Sequence, residues 1–302
     1  MTKRSDIPDS DLSNTFCPLC GGKERKFLGE DFEFPVWRCI QCSHVYISPL
    51  PSSSWLTNYY ADTYMPDTNN EWEDWRNDVY DKSLRAITRL HPERGELLEV
   101  GTGFGGFLIK AGEYGWSLHG IEPHHSAFAI AQERLAGKAS LQQATFQESE
   151  FASSSFDCIV MLNLIEHVSD PLEICKKAFE LLRPGGSLVL RWPHTIIFNL
   201  SMTGLFMKPT HSTKANFRIG APWHLHEFTS KSMKTMLYSI GFESISYFWP
   251  GSQAYPGRSL TWRAVIRIIR IMSRICYMLT LGKLPAPIAA RLTITRKPLL
   301  ST

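Results

Sequence analysis

Leu97-Leu98-Glu99-Val100-Gly101-Thr102-Gly103-Phe104-Gly105-Gly106 is the stretch on which the reading of the chain turns. A short strand runs into a turn of glycines, and an apolar helical pattern follows from Phe104 to Tyr114. Glycine lets the backbone turn tightly and approach a ligand closely, and the helix N-terminus beyond it presents free N–H groups. The next strand, Ser117 to Glu122, ends in an acid twenty-one residues past Gly101. A carboxylate at that place accepts hydrogen bonds from both hydroxyls of a ribose. Gly101, Gly103 and Gly106 also satisfy the dinucleotide spacing G-x-G-x-x-G, so the glycines alone leave the ligand open. Glu99 tilts the choice, because an acid just before the first glycine suits a cationic or amino-bearing ligand better than a pyrophosphate. The unit also starts near residue 96 instead of opening the chain.

Outward from this turn, strand and helix patterns alternate. Ser126 to Ala136 reads as a helix, Leu141 to Ala144 as a weak strand, and Phe156 to Leu162 as the continuous apolar run of a buried parallel strand. Pro171 to Leu182 is a predicted helix stopped by Arg183-Pro184-Gly185-Gly186, and Ser187 to Trp192 a strand. Thr229 to Ile240 reads as a helix closed by Gly241, followed by strands at Phe242 to Trp249 and Ala290 to Lys297. Such alternation predicts an α/β fold with a doubly wound, mostly parallel sheet. Upstream, residues 1–15 read as a disordered leader, 16–50 as a cysteine-bearing module and 51–92 as a linker and helical cover, with Glu71 to Leu90 helical. Residues 93–302 form the main domain. Within it, 193–228 is a long irregular insertion on the substrate side, a length that is usually functional.

With Glu99 to Gly106 go Gly120-Ile121-Glu122-Pro123, Phe156-Asp157-Cys158-Ile159-Val160-Met161-Leu162-Asn163-Leu164-Ile165-Glu166-His167-Val168, and Leu182-Arg183-Pro184-Gly185-Gly186-Ser187. In this order, residues 97–190 resemble the class I S-adenosylmethionine-dependent methyltransferases, and four motifs in sequence are far more specific than one glycine loop. The resemblance implies a Rossmann-like, seven-stranded sheet whose one antiparallel strand is Ala290 to Lys297. It also implies that Glu99 and the backbone around Gly101, Thr102, Gly103 and Gly105 hold the methionine moiety. Glu122 would hold the ribose, Gln147 and Glu148 the adenine, and Leu162 and Asn163 would flank the sulfonium.

Cys17-Pro18-Leu19-Cys20 and Cys39-Ile40-Gln41-Cys42 stand 18 residues apart. Two C-x-x-C pairs at that spacing fit a zinc ribbon with four thiolate ligands and no open position, hence a structural metal. Two disulfides are the alternative, disfavoured in a reducing compartment. The acidic Glu30-Asp31-Phe32-Glu33 between the pairs argues against a nucleic-acid partner. This module, followed by Pro49-Leu50-Pro51 and Tyr59-Tyr60, looks like the N-terminal modules of a methyltransferase branch that includes sugar methyltransferases. The branch implies a small-molecule or glycan-precursor acceptor: a nucleotide- or lipid-linked sugar, or a quinone-like lipid.

Candidate catalytic residues are His167, which follows the fourth strand of the sheet, and His224 and His226 in Trp223-His224-Leu225-His226-Glu227-Phe228 at the end of the insertion. Histidine is the natural base near neutral pH. A structural, helix-capping histidine is the plainer alternative for His167. A metal at His224 and His226 lacks a third ligand nearby in the sequence. Other function classes stay open at this point: an NAD-dependent sugar-modifying oxidoreductase, or a non-catalytic cofactor-binding or zinc-ribbon protein.

The charge is divided unevenly. Arg258 onward carries nine Lys or Arg and no Asp or Glu, which leaves 23 basic against 29 acidic residues in the rest. Arg263, Arg267, Arg270 and Arg274 recur at helical spacing, so residues 258–282 read as a basic amphipathic helix suited to a phosphate-bearing substrate or a membrane surface. Packing on the domain, with arginines reaching to water, is the alternative. No signal peptide or membrane span is visible, and the expected location is cytoplasmic, peripheral at the inner membrane face if that helix binds lipid.

Overall fold

The computed structural model describes residues 2–13, 16–63, 70–193, 219–248 and 290–299, with Ile268, Ile271 and Ile275. Those three isoleucines are helical and about half exposed. The rest of the expected basic helix, residues 194–218 of the insertion, His194 and Cys276 lie outside the described residues. Two 3-10 turns, Arg4–Asp6 and Asp9–Asp11, precede strands β1 (Leu12–Ser13), β2 (Arg25–Asp31), β3 (Phe34–Cys39), β4 (Val45–Ile47) and β5 (Leu50–Pro51). Helices α1 (Ser53–Thr63) and α2 (Asn70–Leu90) lead into the alternating run. That run is β6 (Glu96–Val100), α3 (Gly106–Glu113), β7 (Ser117–Ile121), α4 (His125–Leu135), β8 (Ala139–Gln142), β9 (Phe156–Leu162), α5 (Pro171–Leu181) and β10 (Leu182–Trp192). After the insertion come β11 (His226–Glu227), α6 (Ser230–Ile240), β12 (Glu243–Phe248) and β13 (Arg291–Arg296).

Seven strands form one sheet in the order β12-β13-β10-β9-β6-β7-β8. The five from β10 to β8 are parallel, and β13 runs antiparallel between β10 and β12. The alternation of side chains along each strand explains why both faces are covered. Leu98, Val100, Ile159, Met161, Leu188 and Leu190 enter one core, while Leu97, Cys158, Val160 and Val189 enter the other. A sheet buried on both faces needs such unbroken apolar runs. The helices are set by local chemistry as well. Asp170 caps α5 by accepting from the Glu173 N–H at 2.9 Å, Pro171 opens it, and Ile174, Cys175, Ala178 and Leu181 fall on its buried face. Thr229 and Ser232 form a capping box on α6, which Gly241 ends with φ of 108°. The chain leaves β6 toward β7 on one side and β9 on the other, and at such a reversal a crevice opens beyond the carboxyl ends of the strands.

A second sheet, ordered β11-β4-β3-β2, is antiparallel. Its β11 comes from beyond the insertion, so residues 16–50 are not self-contained: His226 pairs with Tyr46 and Glu227 with Val45. Ile219, Ala221 and Leu225 join Phe34, Val36, Val45 and Ile47 in a separate core under this sheet. Residues 2–13 are tied to this module by three contacts. The Arg4 N–H donates to the Phe32 carbonyl at 3.0 Å, Ile7 is buried in the same core, and β1 pairs with β5. Among the described residues, no helix is long and apolar enough to cross a membrane.

Candidate functional site

The glycine turn closes over the carboxyl end of β6. Gly101, Gly103 and Gly105 all adopt positive φ, at 76°, 54° and 77°, where a side chain is strained. A Cβ on Gly101 would also stand 3.3 Å from Leu164. Thr102 turns inward, its hydroxyl donating to the Glu99 and Ile121 carbonyls at 3.3 Å each, and so ties the ends of β6 and β7 together instead of facing a ligand. Glu122 accepts from the Gly103 N–H at 2.7 Å and the His124 N–H at 3.0 Å, one with each carboxylate oxygen. Glu99 is buried beneath the turn, and its Oε2 meets no hydrogen-bond donor among the described residues. Burial, and then the neighbouring Glu122 charge, push its carboxyl well above the ordinary range. Glu122 is raised too, by burial, against the pull of its two backbone donors. A buried acid with one oxygen that meets no donor among the described residues, raised by burial and Glu122 against the pull of Arg76, next to a second acid on the rim of a glycine turn, calls for further positive charge and further donors. An ammonium group and a ribose supply both, so the residues fit the group that the resemblance implies.

Other residues expected around that ligand are more spread out. Asn163, with φ of 57°, donates its N–H to the Arg191 carbonyl at 2.8 Å and accepts from the Arg191 guanidinium, which fixes the turn after β9. Leu162 is half-buried at the end of β9. Gln147 and Glu148 sit on the exposed turn after β8, where the Glu148 carboxylate caps the Thr145 N–H at 3.1 Å.

A second cluster forms where the β9–α5 loop meets the returning insertion. His167 Nδ1 donates to the Trp223 carbonyl at 2.6 Å and His224 Nδ1 to the Ile219 carbonyl at 3.0 Å, with the two rings 4.8 Å apart. Burial lowers both; His167 falls to about 3, so both imidazoles are neutral near pH 7. Glu166, 1% exposed, places Oε1 3.7 Å from His167 Nε2, and burial raises its carboxyl to about 8. The Tyr60 hydroxyl donates to the Trp223 and His167 carbonyls and locks the two segments together. His226 stands apart from this pair. Its Nδ1 lies 3.1 Å from His44 Nε2 and its Nε2 2.9 Å from the Val168 carbonyl, so both ring nitrogens are engaged in the seam between the two sheets. Asp31 is the residue that sequence reasoning passed over as one of an acidic run. It is fully buried, and its Oδ2 accepts from the Ile219, Gly220 and Ala221 N–H groups at 3.0, 2.7 and 3.1 Å. The sequence gives no sign of this beyond the acid itself, since the partners lie nearly 190 residues away.

The four early cysteines converge. Cys17 and Cys42 sulfurs lie 3.5 Å apart, Cys20 and Cys39 sulfurs 3.6 Å apart, and all four fall within 4.8 Å of one another. Thiolates around a tetrahedral zinc at about 2.3 Å stand roughly 3.8 Å apart, so the donor set and spacing fit that metal. The Cys17–Cys42 contact raises the Cys17 thiol and lowers that of Cys42.

Comparison with known families matches residues 72–247, more than half the chain, to the methyltransferase domain. The chain belongs to the methyltransferase-domain family. The phosphoethanolamine N-methyltransferase 2 of Caenorhabditis elegans is 30% identical over 118 residues, 37% of this chain and 27% of that protein. The mitochondrial ubiquinone biosynthesis O-methyltransferase of Mus musculus is 28% identical over 157 residues, 44% of this chain and 41% of that one. The matches therefore span well under half the length of these relatives. Among solved structures, phosphoethanolamine N-methyltransferase 2 of Haemonchus contortus, in complex with phosphomonomethylethanolamine and S-adenosylhomocysteine, superposes with a TM-score of 0.52 at 17% identity. It covers 84% of this chain and 62% of that one, a likeness of fold. For this methyltransferase-domain chain, the family match takes in the glycine turn, both acids and the His167–His224 cluster, while the four cysteines lie upstream of it.

Proposed function

We propose that the chain is an S-adenosylmethionine-dependent methyltransferase acting on a small-molecule or glycan-precursor acceptor. The observation that carries this reading is the pairing of Glu99, a buried carboxylate with an oxygen lacking any donor, with Glu122 on the rim of the same glycine turn. When bound, S-adenosylmethionine supplies an electrophilic methyl carbon on a sulfonium. Glu99 takes the amino group of the amino-acid end, and Glu122 takes the ribose hydroxyls. Asn163, pinned by Arg191, shapes the wall at the end of β9. Methyl transfer is a displacement that depends on alignment, and rigid walls hold the two reactants in line. On the acceptor side, His167 and His224 offer neutral Nε2 edges to receive the acceptor's polar group. His226 serves the same site indirectly, by holding the segment that carries His224. The four cysteines hold a structural zinc, in keeping with the zinc-bearing branch.

The test is incubation of the full chain with methyl-labelled cofactor and a cell extract, with the labelled product identified by mass. Label in a low-molecular-weight or lipid-linked product supports the reading. Label nowhere, while a nicotinamide cofactor is consumed, replaces it with an oxidoreductase.

A further inference from the structure

Outside the four cysteines, one cluster of metal-ligating side chains stands out among the described residues: Glu166, His167 and His224, whose donor atoms lie within 4.8 Å of one another. The histidines are pre-set for coordination. Each Nδ1–H is spent on a backbone carbonyl, Trp223 for His167 and Ile219 for His224, so each Nε2 keeps its lone pair. Metal-bound histidines are held in this way, the second nitrogen fixing tautomer and ring orientation. Glu166 is 1% exposed, and its Oε2 meets no hydrogen-bond partner among the described residues. A buried carboxylate oxygen left unanswered is costly unless a proton or a cation satisfies it. The three donors come from two segments that are tied to each other, one of them also to the second sheet. The Leu225 and His226 N–H groups donate to the Glu166 carbonyl at 2.9 and 3.3 Å, and Asp31 latches residues 219–221.

We propose that Glu166, His167 and His224 bind a divalent transition-metal cation, with zinc as the type, in a three-donor site that leaves a coordination position for an oxygen of the acceptor. Two imidazoles and one carboxylate form the donor set of open zinc sites, whereas magnesium and calcium prefer oxygen ligands alone. Apart from His224, the residues of the insertion, His194 included, are not needed for this set. The contact with the acceptor rests on the methyltransferase reading; the cation site does not.

The experiment is metal analysis of the untagged full chain after dialysis against micromolar zinc and then against metal-free buffer, together with cobalt substitution. The expected content is two equivalents per chain, against one for Glu166→Gln and for His224→Gln. His125→Ala, an exposed histidine elsewhere, keeps two. On cobalt substitution, one equivalent shows thiolate charge-transfer bands and the other only visible d–d bands. This wild-type spectrum decides the matter even if a variant fails to fold. A wild type whose sole equivalent carries thiolate bands overturns the proposal, as do folded variants that keep both equivalents. Binding of S-adenosylhomocysteine is measured on the same samples. Cofactor binding without the second metal sinks the cation site alone, whereas a second metal without cofactor binding sinks the methyltransferase reading and leaves the cation site standing.

Discussion

Glu99 concentrates the physics of the cofactor site at one residue. Its carboxyl is raised by burial and by Glu122, so the folded chain favours its protonated form. Its contribution to folding is therefore complete below about pH 4.5, the ordinary glutamate value, and fades as pH rises through the raised folded value. A cationic ligand needs the opposite form. Cofactor binding should release a proton, and affinity should rise with pH. Calorimetry in two buffers of different ionisation heat measures the first, and dissociation constants from pH 6 to 8.5 measure the second. Glu99→Gln should weaken cofactor binding by roughly ten- to a hundredfold, the worth of a hydrogen bond to a charged group. It should not lower the melting temperature at pH 8, because the amide is neutral at every pH and needs no proton to be buried there. A variant that loses stability at pH 8 yet binds the cofactor normally would show that Glu99 is a structural acid. Glu99 and Glu122 were legible in the sequence because their places follow from strand ends and glycine spacing. Glu166 was legible as a residue but not as a donor, since burial and the missing partner of its Oε2 exist only in three dimensions.

At the scale of elements, the segment from Ile219 to Phe228 is the hinge between the two sheets. It is tied by β11 to β4, by the buried Leu225, and by three N–H groups on Asp31 Oδ2. Asp31→Ala leaves three N–H donors, two of them on the buried Ile219 and Ala221, with no acceptor and should cost about 2–3 kcal/mol, read from urea unfolding. Asp31→Asn should cost less, because Oδ1 has no partner to lose and the amide oxygen can still accept. Equal losses in the two variants would mean that the charge, not the acceptor geometry, holds the loop. Leu225→Ala should cost about 2–5 kcal/mol by opening a cavity. The main sheet could be laid out from the sequence because strand and helix periods differ and glycines mark their junctions. The β11–β4 pairing could not, since a two-residue strand carries no period, and His226 shows its role only beside His44, 182 residues earlier.

Across the whole molecule, the cysteine module packs on the methyltransferase domain as part of its structure. Cys17, Leu19, Cys39, Cys42 and Tyr46 share a core with Leu98, Ile159 and Trp192, and the sheet beside the cysteines ends in the strand that follows His224. Stripping the metal from the four cysteines should therefore lower the melting temperature and abolish methyl transfer while changing cofactor affinity by no more than a few fold. On the proposed reading the cofactor is held by Glu99 and Glu122, which belong to β6 and to the turn after β7, outside the cysteine module. Loss of cofactor binding in step with metal removal would contradict this division. The central claim is that the glycine turn with its two acids holds an adenosyl sulfonium, and thermal unfolding of the zinc-loaded full chain tests it most directly. S-adenosylmethionine or S-adenosylhomocysteine at a hundred times its dissociation constant should stabilise by about 2.7 kcal/mol, a rise of roughly 5 °C, with no rise for NAD. A rise with NAD and none with either sulfur ligand would contradict the account.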